Sequence, residues 1–497
     1  MQYRSTRDSN TQVTSAMAIK TGLAPDGGLF LPETVPQVSL SEIESLCGMT
    51  YNERAVDILS RFLTDFTQEE ITTCVNRAYS REKFETEEIA PIFKLNQNTY
   101  FLELWHGPTC AFKDMALQIL PHLLLKSIHK TGETKEVVIL VATSGDTGKA
   151  ALEGFKDVAG TRIIVFYPAD GVSDIQKRQM VTQDGNNVDV AAVCGNFDDA
   201  QTGVKTLFSD VSLREELAAR GYFLSSANSI NWGRVLPQIV YYVSAYCDLV
   251  TAEQITMGEK VDVCGPTGNF GNILAAYIAK QMGLPVNKFI CASNRNNVLT
   301  DFFKKDGEYN RNRDFYTTTS PSMDILISSN LERLLFFASD FDDRMVAELM
   351  AKLNGEGSYK VASDVFAKIA ADFDAGCCDD EHAAETIHRL WTEEKYLCDT
   401  HTAVAVRVYE DYRARTGDET PTVIASTASP FKFCRAVIEA LGGTLEKDDV
   451  TQLDVLTGLT GVPAPAPLAA LAGKTPRFDR VVDKAGILST VALLKDL

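Results

Sequence analysis

Val261-Asp-Val-Cys-Gly-Pro-Thr-Gly-Asn-Phe-Gly-Asn272, followed by the apolar stretch 273–282, reads as strand, glycine-rich loop and helix. Gly265, Gly268 and Gly271 let successive backbone N–H groups turn toward one anion at the start of a helix. The spacing G-x-x-G-x-x-G is not the dinucleotide fingerprint G-x-G-x-x-G, and no G-K-[ST] closes it. The loop suits a phosphate better than a whole nucleotide, and a plain structural turn is the alternative. Working outward, short β-branched runs at 136–142, 162–167, 188–193, 261–264 and 288–291 alternate with helical patterns. That alternation predicts βαβ units, so the fold class is α/β with mainly parallel open sheets and flanking helices.

Four regions follow from the pattern. Residues 1–95 combine a turn-rich opening with helical stretches, and 96–330 form the α/β core. Residues 331–420 read as a mainly helical insertion. Residues 421–497 hold one more strand, Thr422-Val-Ile-Ala-Ser-Thr427, and then lose strong pattern after about 450.

With 497 residues, two to four domains are expected at roughly 100–200 residues each. The net charge of −19 argues against nucleic acid and against anionic membrane surfaces. A few cations and helix N-termini can still hold a small anion. The eleven cysteines are scattered with no C-x-x-C, the first ten residues are polar, and the longest apolar runs are strand-sized. A protein of the reducing cytoplasm, with no membrane span, is therefore expected. The six histidines form no metal-ligand pattern and no G-x-S-x-G elbow occurs, so no metal site is expected.

Three further segments carry candidate chemistry. In His106-Gly-Pro-Thr-Cys-Ala-Phe-Lys-Asp114, a strand-like run leads through a Gly-Pro turn to Lys113, which precedes a helical pattern over 115–125. A helix start and the neighbouring Phe112 both disfavour the charged amine, as a Schiff-base lysine requires. A surface lysine is the alternative. In Ala142-Thr-Ser-Gly-Asp-Thr-Gly148, Ser144, Gly145 and Thr147 offer hydroxyls and amides for a carboxylate, with helix capping as the competing use. In Ser225-Ser-Ala-Asn-Ser-Ile-Asn-Trp-Gly-Arg234, Arg234 offers a bidentate contact to phosphate, or the segment is only a polar loop and cap.

Together and in this order, H-G-P-T-C-A-F-K-D, S-G-D-T-G, S-A-N-S-I-N and P-T-G-N-F-G resemble threonine synthase. The likeness is to the longer-chain branch of the tryptophan-synthase-β-like pyridoxal-phosphate (PLP) enzymes. Ser5-Thr-Arg7, the 22–33 stretch, Thr400-His-Thr-Ala403 and Ser426-Thr-Ala-Ser-Pro-Phe-Lys432 extend it over roughly 3–445. The resemblance implies an N-terminal domain of the threonine synthase type in 1–95. It implies that Lys113 carries PLP as a Schiff base. Gly268, Asn269, Phe270 and Gly271 would hold its phosphate, Thr427 its ring nitrogen, and Asp146 would lie beside its 3-hydroxyl. Ser144, Gly145 and Thr147 would take the substrate carboxylate. Asn231 and Arg234, with Arg7 as a further candidate, would take the substrate phosphate. The implied reaction converts O-phospho-L-homoserine and water to L-threonine and phosphate, in a cytoplasmic monomer or homodimer. A sister lyase such as a serine/threonine dehydratase, or a non-catalytic PLP-binding paralogue, are the other readings. Two departures stand out: Asp146 replaces the Asn common in related PLP enzymes, and Ser429 stands where the branch often has His.

Overall fold

The computed structural model describes residues 1–169, 171–195, 197–447, 450–483, 486 and 487. Two mainly parallel sheets carry the architecture. The larger has six strands in the order Phe373–Cys377, Val286–Ser293, Val261–Pro266, Thr422–Ser426, Thr99–Glu103, Ile92–Lys94. The first five are parallel and the last is antiparallel. The smaller sheet is parallel throughout, in the order Val481–Val482, Val188–Val193, Thr161–Pro168, Glu136–Ala142, Tyr222–Ser226. Val137 to Ala142 are all buried, as expected of a central strand covered on both faces. Parallel strands need helical crossovers, and the intervening helices supply them.

Topology sets the site. Thr99–Glu103, Thr422–Ser426 and Val261–Pro266 are neighbours, with Thr422 opposite Thr99 and Cys264 opposite Ile424. Their C-terminal ends lead to Lys113, to Thr427 and to the glycine-rich loop. In open parallel sheets, ligands sit outside the carboxyl ends of the strands. In the smaller sheet, Glu136–Ala142 and Tyr222–Ser226 lead to the 143–148 loop and to the 227–234 segment.

The first 95 residues hold a small antiparallel sheet, in which Tyr3–Ser5 pairs with Gln12–Val13 and Phe30–Pro32, and four helices. Three of those helices, Leu40–Cys47, Tyr51–Phe62 and Gln68–Ala78, begin with a reciprocal capping box. Leu40–Cys47 and Tyr51–Phe62 dock on the long helix Trp232–Thr251, where Arg54 Nη1 donates to Ser244 Oγ at 2.7 Å and to Asp248 Oδ1 at 2.6 Å. The Trp232 ring packs against Tyr3 and Phe62.

Two regions add to the sequence expectation. The 331–420 stretch is mainly helical, as expected, but Phe373–Cys377 within it forms the outer strand of the larger sheet, Phe289 opposite Phe373. Only Phe373 and Ala375 of this edge strand face inward, so its short alternation is lost between helices Ser363–Asp372 and Asp380–Glu394. The patternless tail is also built in. Helix Thr451–Thr460 buries Leu453 and Leu456, Arg477 N donates to Val181 O at 2.7 Å, and Val481–Val482 extends the smaller sheet.

Candidate active site

Lys113 is placed by the strand Thr99–Glu103 and the turn behind it. Asp114 is buried and accepts from Thr109 N at 2.8 Å and Thr109 Oγ1 at 2.7 Å. A Cβ on Gly107 would stand 2.7 Å from Asp114, so only glycine closes this turn. Phe112 N donates to Thr427 O at 2.8 Å, which ties the lysine to the end of the neighbouring strand. The Lys113 ammonium lies 5.1 Å from the Phe112 ring centre. Its helix, Asp114–Leu117, is a single turn, so the helix end contributes less than the sequence suggested. Desolvation is the main cause that pushes the amine down to about 8; Asp146 opposes it, while Arg234 and Lys432 add to it.

Asp146 opens the helix Asp146–Phe155 and is buried. Lys432 Nζ approaches its Oδ1 at 2.8 Å, Gln176 Nε2 donates to the same oxygen at 2.8 Å, and Ser322 Oγ donates to Oδ2 at 3.2 Å. Burial alone would raise this carboxyl, but Lys432 and Lys113 hold it well below the usual carboxylate range. Lys432 is fully buried and also donates to Thr109 O at 2.8 Å. In the sequence Lys432 closes the 426–432 motif without a role of its own, and nothing local marks Gln176 or Ser322.

The glycine-rich loop joins Val261–Pro266 to the helix Gly271–Met282. Its carbonyls are turned away and held: Ser328 Oγ donates to Gly268 O at 2.6 Å, and Asn330 N and Nδ2 to Asn269 O at 3.1 and 3.0 Å. Phe270 adopts a left-handed conformation, φ 64°. Among the described residues, none of the amides of Gly268, Asn269, Phe270 and Gly271 donates to a protein acceptor. A side chain at 268 would meet Ser322 O at 2.9 Å. Four unspent N–H groups at a helix start suit an anion such as a phosphate.

Across the cleft, Thr143 rather than Ser144 caps the next helix, accepting from Gly145 N at 2.9 Å and Gly148 N at 2.8 Å. Ser144 and Thr147 stay half-buried, with hydroxyls unspent among the described residues. Gly145 has φ 133°, open only to glycine, and a Cβ there would strike Gln176. Thr427 is buried, and among the described residues its hydroxyl has no partner.

Arg234 is 3% exposed, and among the described residues no carboxylate pairs with it. Nη1 donates to Ala227 O at 2.5 Å, and Nε is buried without a partner. Burial pushes this guanidinium down to about 10. A buried, half-satisfied cation calls for an anion. Two other phosphate candidates are corrected. Asn231 is consumed as the cap of Trp232–Thr251: Nδ2 donates to Ile19 O at 2.9 Å and Ser226 O at 3.2 Å, and Oδ1 accepts from Gly233 N at 2.9 Å. Arg7 makes a bidentate pair with Glu332, at 2.8 and 2.7 Å. His106 is likewise structural, with Nδ1 2.6 Å from Glu85 and Nε2 2.8 Å from Glu103. Burial opposes its charge, but the two carboxylates win and raise it to about 9.

Residues 84–427 match the family described as pyridoxal-phosphate dependent enzyme. Residues 2–79 match the threonine synthase N terminus, and 402–490 the threonine synthase C-terminal region. Threonine synthase of Pseudomonas aeruginosa is 39% identical over 441 residues, covering 88% of this chain and 90% of that protein. The chain belongs to the threonine synthase family. PLP-bound threonine synthase from Brucella melitensis superposes with a TM-score of 0.87 at 35% identity, covering 100% and 99% of the two chains. Human threonine synthase-like 1 is 44% identical over 435 residues, 85% of this chain. The chain spans 57% of that relative's length. The family match reaches residue 490, past the 445 at which the motif resemblance stops. Among the described residues, no helix is long and apolar enough to cross a membrane, and no cluster of His, Cys, Asp and Glu is placed to hold a metal ion. For a threonine synthase family member the residues present fit PLP. A desolvated lysine suits the aldehyde, four unspent amides the phosphate, and the unspent Thr427 hydroxyl the ring nitrogen.

Proposed function

We propose that the protein is a threonine synthase, converting O-phospho-L-homoserine and water to L-threonine and phosphate. The observation that carries this reading is Arg234, a buried guanidinium with no carboxylate partner among the described residues, close enough to Lys113 to depress its amine. A lyase whose substrate has no phosphate needs no second cation of this kind. PLP, held by Lys113, the 268–271 amides and Thr427, would supply the electron sink that stabilises negative charge at the substrate carbons.

The protein's own residues do the rest. Ser144, Gly145 and Thr147 hold the substrate carboxylate, and Arg234 holds the γ-phosphate until it leaves. With PLP bound, Lys113 would be the amine that moves protons at substrate Cα and Cβ. With its amine near 8, roughly a tenth is neutral at pH 7. Asp146 stays ionised, clamped by Lys432, and keeps Lys113 from falling further. The neutral hydroxyl of Thr427 can donate to the ring nitrogen but leaves it unprotonated. The enzyme works in the cytoplasm as a monomer or homodimer, and its partner is this small substrate.

The greater identity to threonine synthase-like 1 favours one second reading, a PLP-binding protein with another activity. One assay separates them. Purified protein is examined for the visible absorbance of bound PLP, then for phosphate and threonine release from O-phospho-L-homoserine. Colour without either product supports the second reading. Lys113→Ala abolishes the visible band; a band that persists refutes the lysine assignment.

A further inference from the structure

We infer that Asp399 is a positioning residue for the cofactor site, acting through two arms. The inference rests on the proposed function. Asp399 is fully buried at the start of the helix Thr400–Thr416. Its Oδ2 accepts from His401 N at 2.9 Å and bonds His401 Nδ1 at 2.7 Å. Its Oδ1 accepts from Thr402 N at 3.1 Å and from the Thr402 hydroxyl. Four donors converge on this one carboxylate.

The first arm is His401. Asp399 keeps the proton on Nδ1, which leaves Nε2 as an acceptor. Ser322 N donates to that Nε2 at 3.1 Å. Ser322 in turn places its hydroxyl on Asp146 and its carbonyl against Gly268. Two elements at opposite sides of the cofactor site are therefore set by one backbone N–H. The second arm is Thr402, whose hydroxyl accepts from Thr427 N at 3.4 Å. Asp399 thus holds Thr427 at the ring-nitrogen end and Ser322 at the phosphate and Asp146 end. No local feature of Asp399-Thr-His-Thr402 marks this; only the fold brings its contacts together.

The His401 ring itself is buried. The charged groups around it are Asp399 on its own helix, Asp324 and Asp146 opposite, and Lys432 bound to Asp146. Phe433 packs on the ring at 4.8 Å.

The test uses the PLP-loaded full chain, with Asp399→Asn, His401→Gln and His401→Leu. Asn at 399 can donate to Nδ1 and so force the wrong tautomer, whereas Gln at 401 can still accept from Ser322 N. Outer partners of this kind typically change affinity or activity about 10–100-fold. Asp399→Asn and His401→Leu are expected to lose at least ~10-fold in PLP affinity and kcat. They also shift the phosphorus NMR signal of bound PLP. His401→Gln is expected to keep both within ~3-fold. Wild-type-like PLP affinity and phosphorus signal in a folded Asp399→Asn overturns the inference. If that variant does not fold, equal behaviour of the Leu and Gln variants overturns it. A wild type that binds no PLP refutes the functional reading instead, so the two failures are distinct.

Discussion

Replacing Lys432 by Met should be among the most damaging single changes away from Lys113. Lys432 and Asp146 are 0% and 3% exposed and 2.8 Å apart. At that distance the attraction is about 6 kcal/mol at an effective dielectric of 20. Much of that offsets the cost of taking both charges out of water, so the pair's net worth is smaller. Removing one partner has no such offset. Asp146 would keep Gln176, Ser322 and the Lys113 charge, and a buried carboxylate that loses its hydrogen-bonded cation costs about 3–5 kcal/mol. The second variant, Lys432→Met with Asp146→Asn, removes the stranded charge. It should recover about 2 kcal/mol or more, a large coupling for neighbours. The assay is guanidinium unfolding of cofactor-free wild type, Lys432→Met, Asp146→Asn and the double variant, followed by circular dichroism and fluorescence. Lys113 gives a second readout. Lys432 depresses its amine, so Lys432→Met should move the pH profile of cofactor binding upward. A cost below ~1 kcal/mol for Lys432→Met, or strictly additive single variants, would refute the reasoning.

Arg234→Ala should raise KM for O-phospho-L-homoserine about 10–100-fold, the worth of one charge-assisted contact, while leaving the visible PLP band intact; an unchanged KM moves the phosphate site elsewhere. Gly268→Ala forces a Cβ to 2.9 Å from Ser322 O and should weaken PLP binding, read by titration of the visible band, with little change in unfolding midpoint. His106 has its folded value raised to about 9 by Glu103 and Glu85. Its stabilisation is therefore complete below about 6.5 and lost as pH climbs through 9. His106→Gln should be less stable than wild type by about 1–2 kcal/mol at pH 6, after discount for the half-exposed Glu85, and equal to it above about pH 10. Denaturant midpoints across pH check this, and a deficit that does not shrink above pH 9 contradicts the ion-pair account.

The fold was legible where strands are buried on both faces. The apolar run 137–142 and the strand–loop–helix at 261–282 appear in the structure where their pattern put them. Phe373–Cys377 was not legible, because an edge strand needs only one apolar face and this one alternates over five residues. At the site, Lys113 and the glycine-rich loop stood out because their chemistry is local. Asn231 misled because a cap and a ligand use the same side-chain atoms. Arg7 and Arg234 look alike in sequence; Glu332, hundreds of residues away, neutralises one, and among the described residues nothing neutralises the other. Lys432 acts across a long sequence separation, and Asp399 does so through His401 and Thr402, so no window of residues reveals them.

The strand Thr422–Ser426 sits between Thr99–Glu103 and Val261–Pro266 yet is made long after both. A ribosome adding roughly 5–20 residues per second therefore leaves a gap in the middle of the larger sheet for tens of seconds. During that interval the flanking strands present two open edges facing one another, each a template for wrong pairing. Lys113 and the glycine-rich loop already exist on the emerging polypeptide, but no neighbouring strand fixes their separation. Cofactor capture must then be a late event of biogenesis, and chains cut short before residue 422 should be sticky, colourless and quickly degraded.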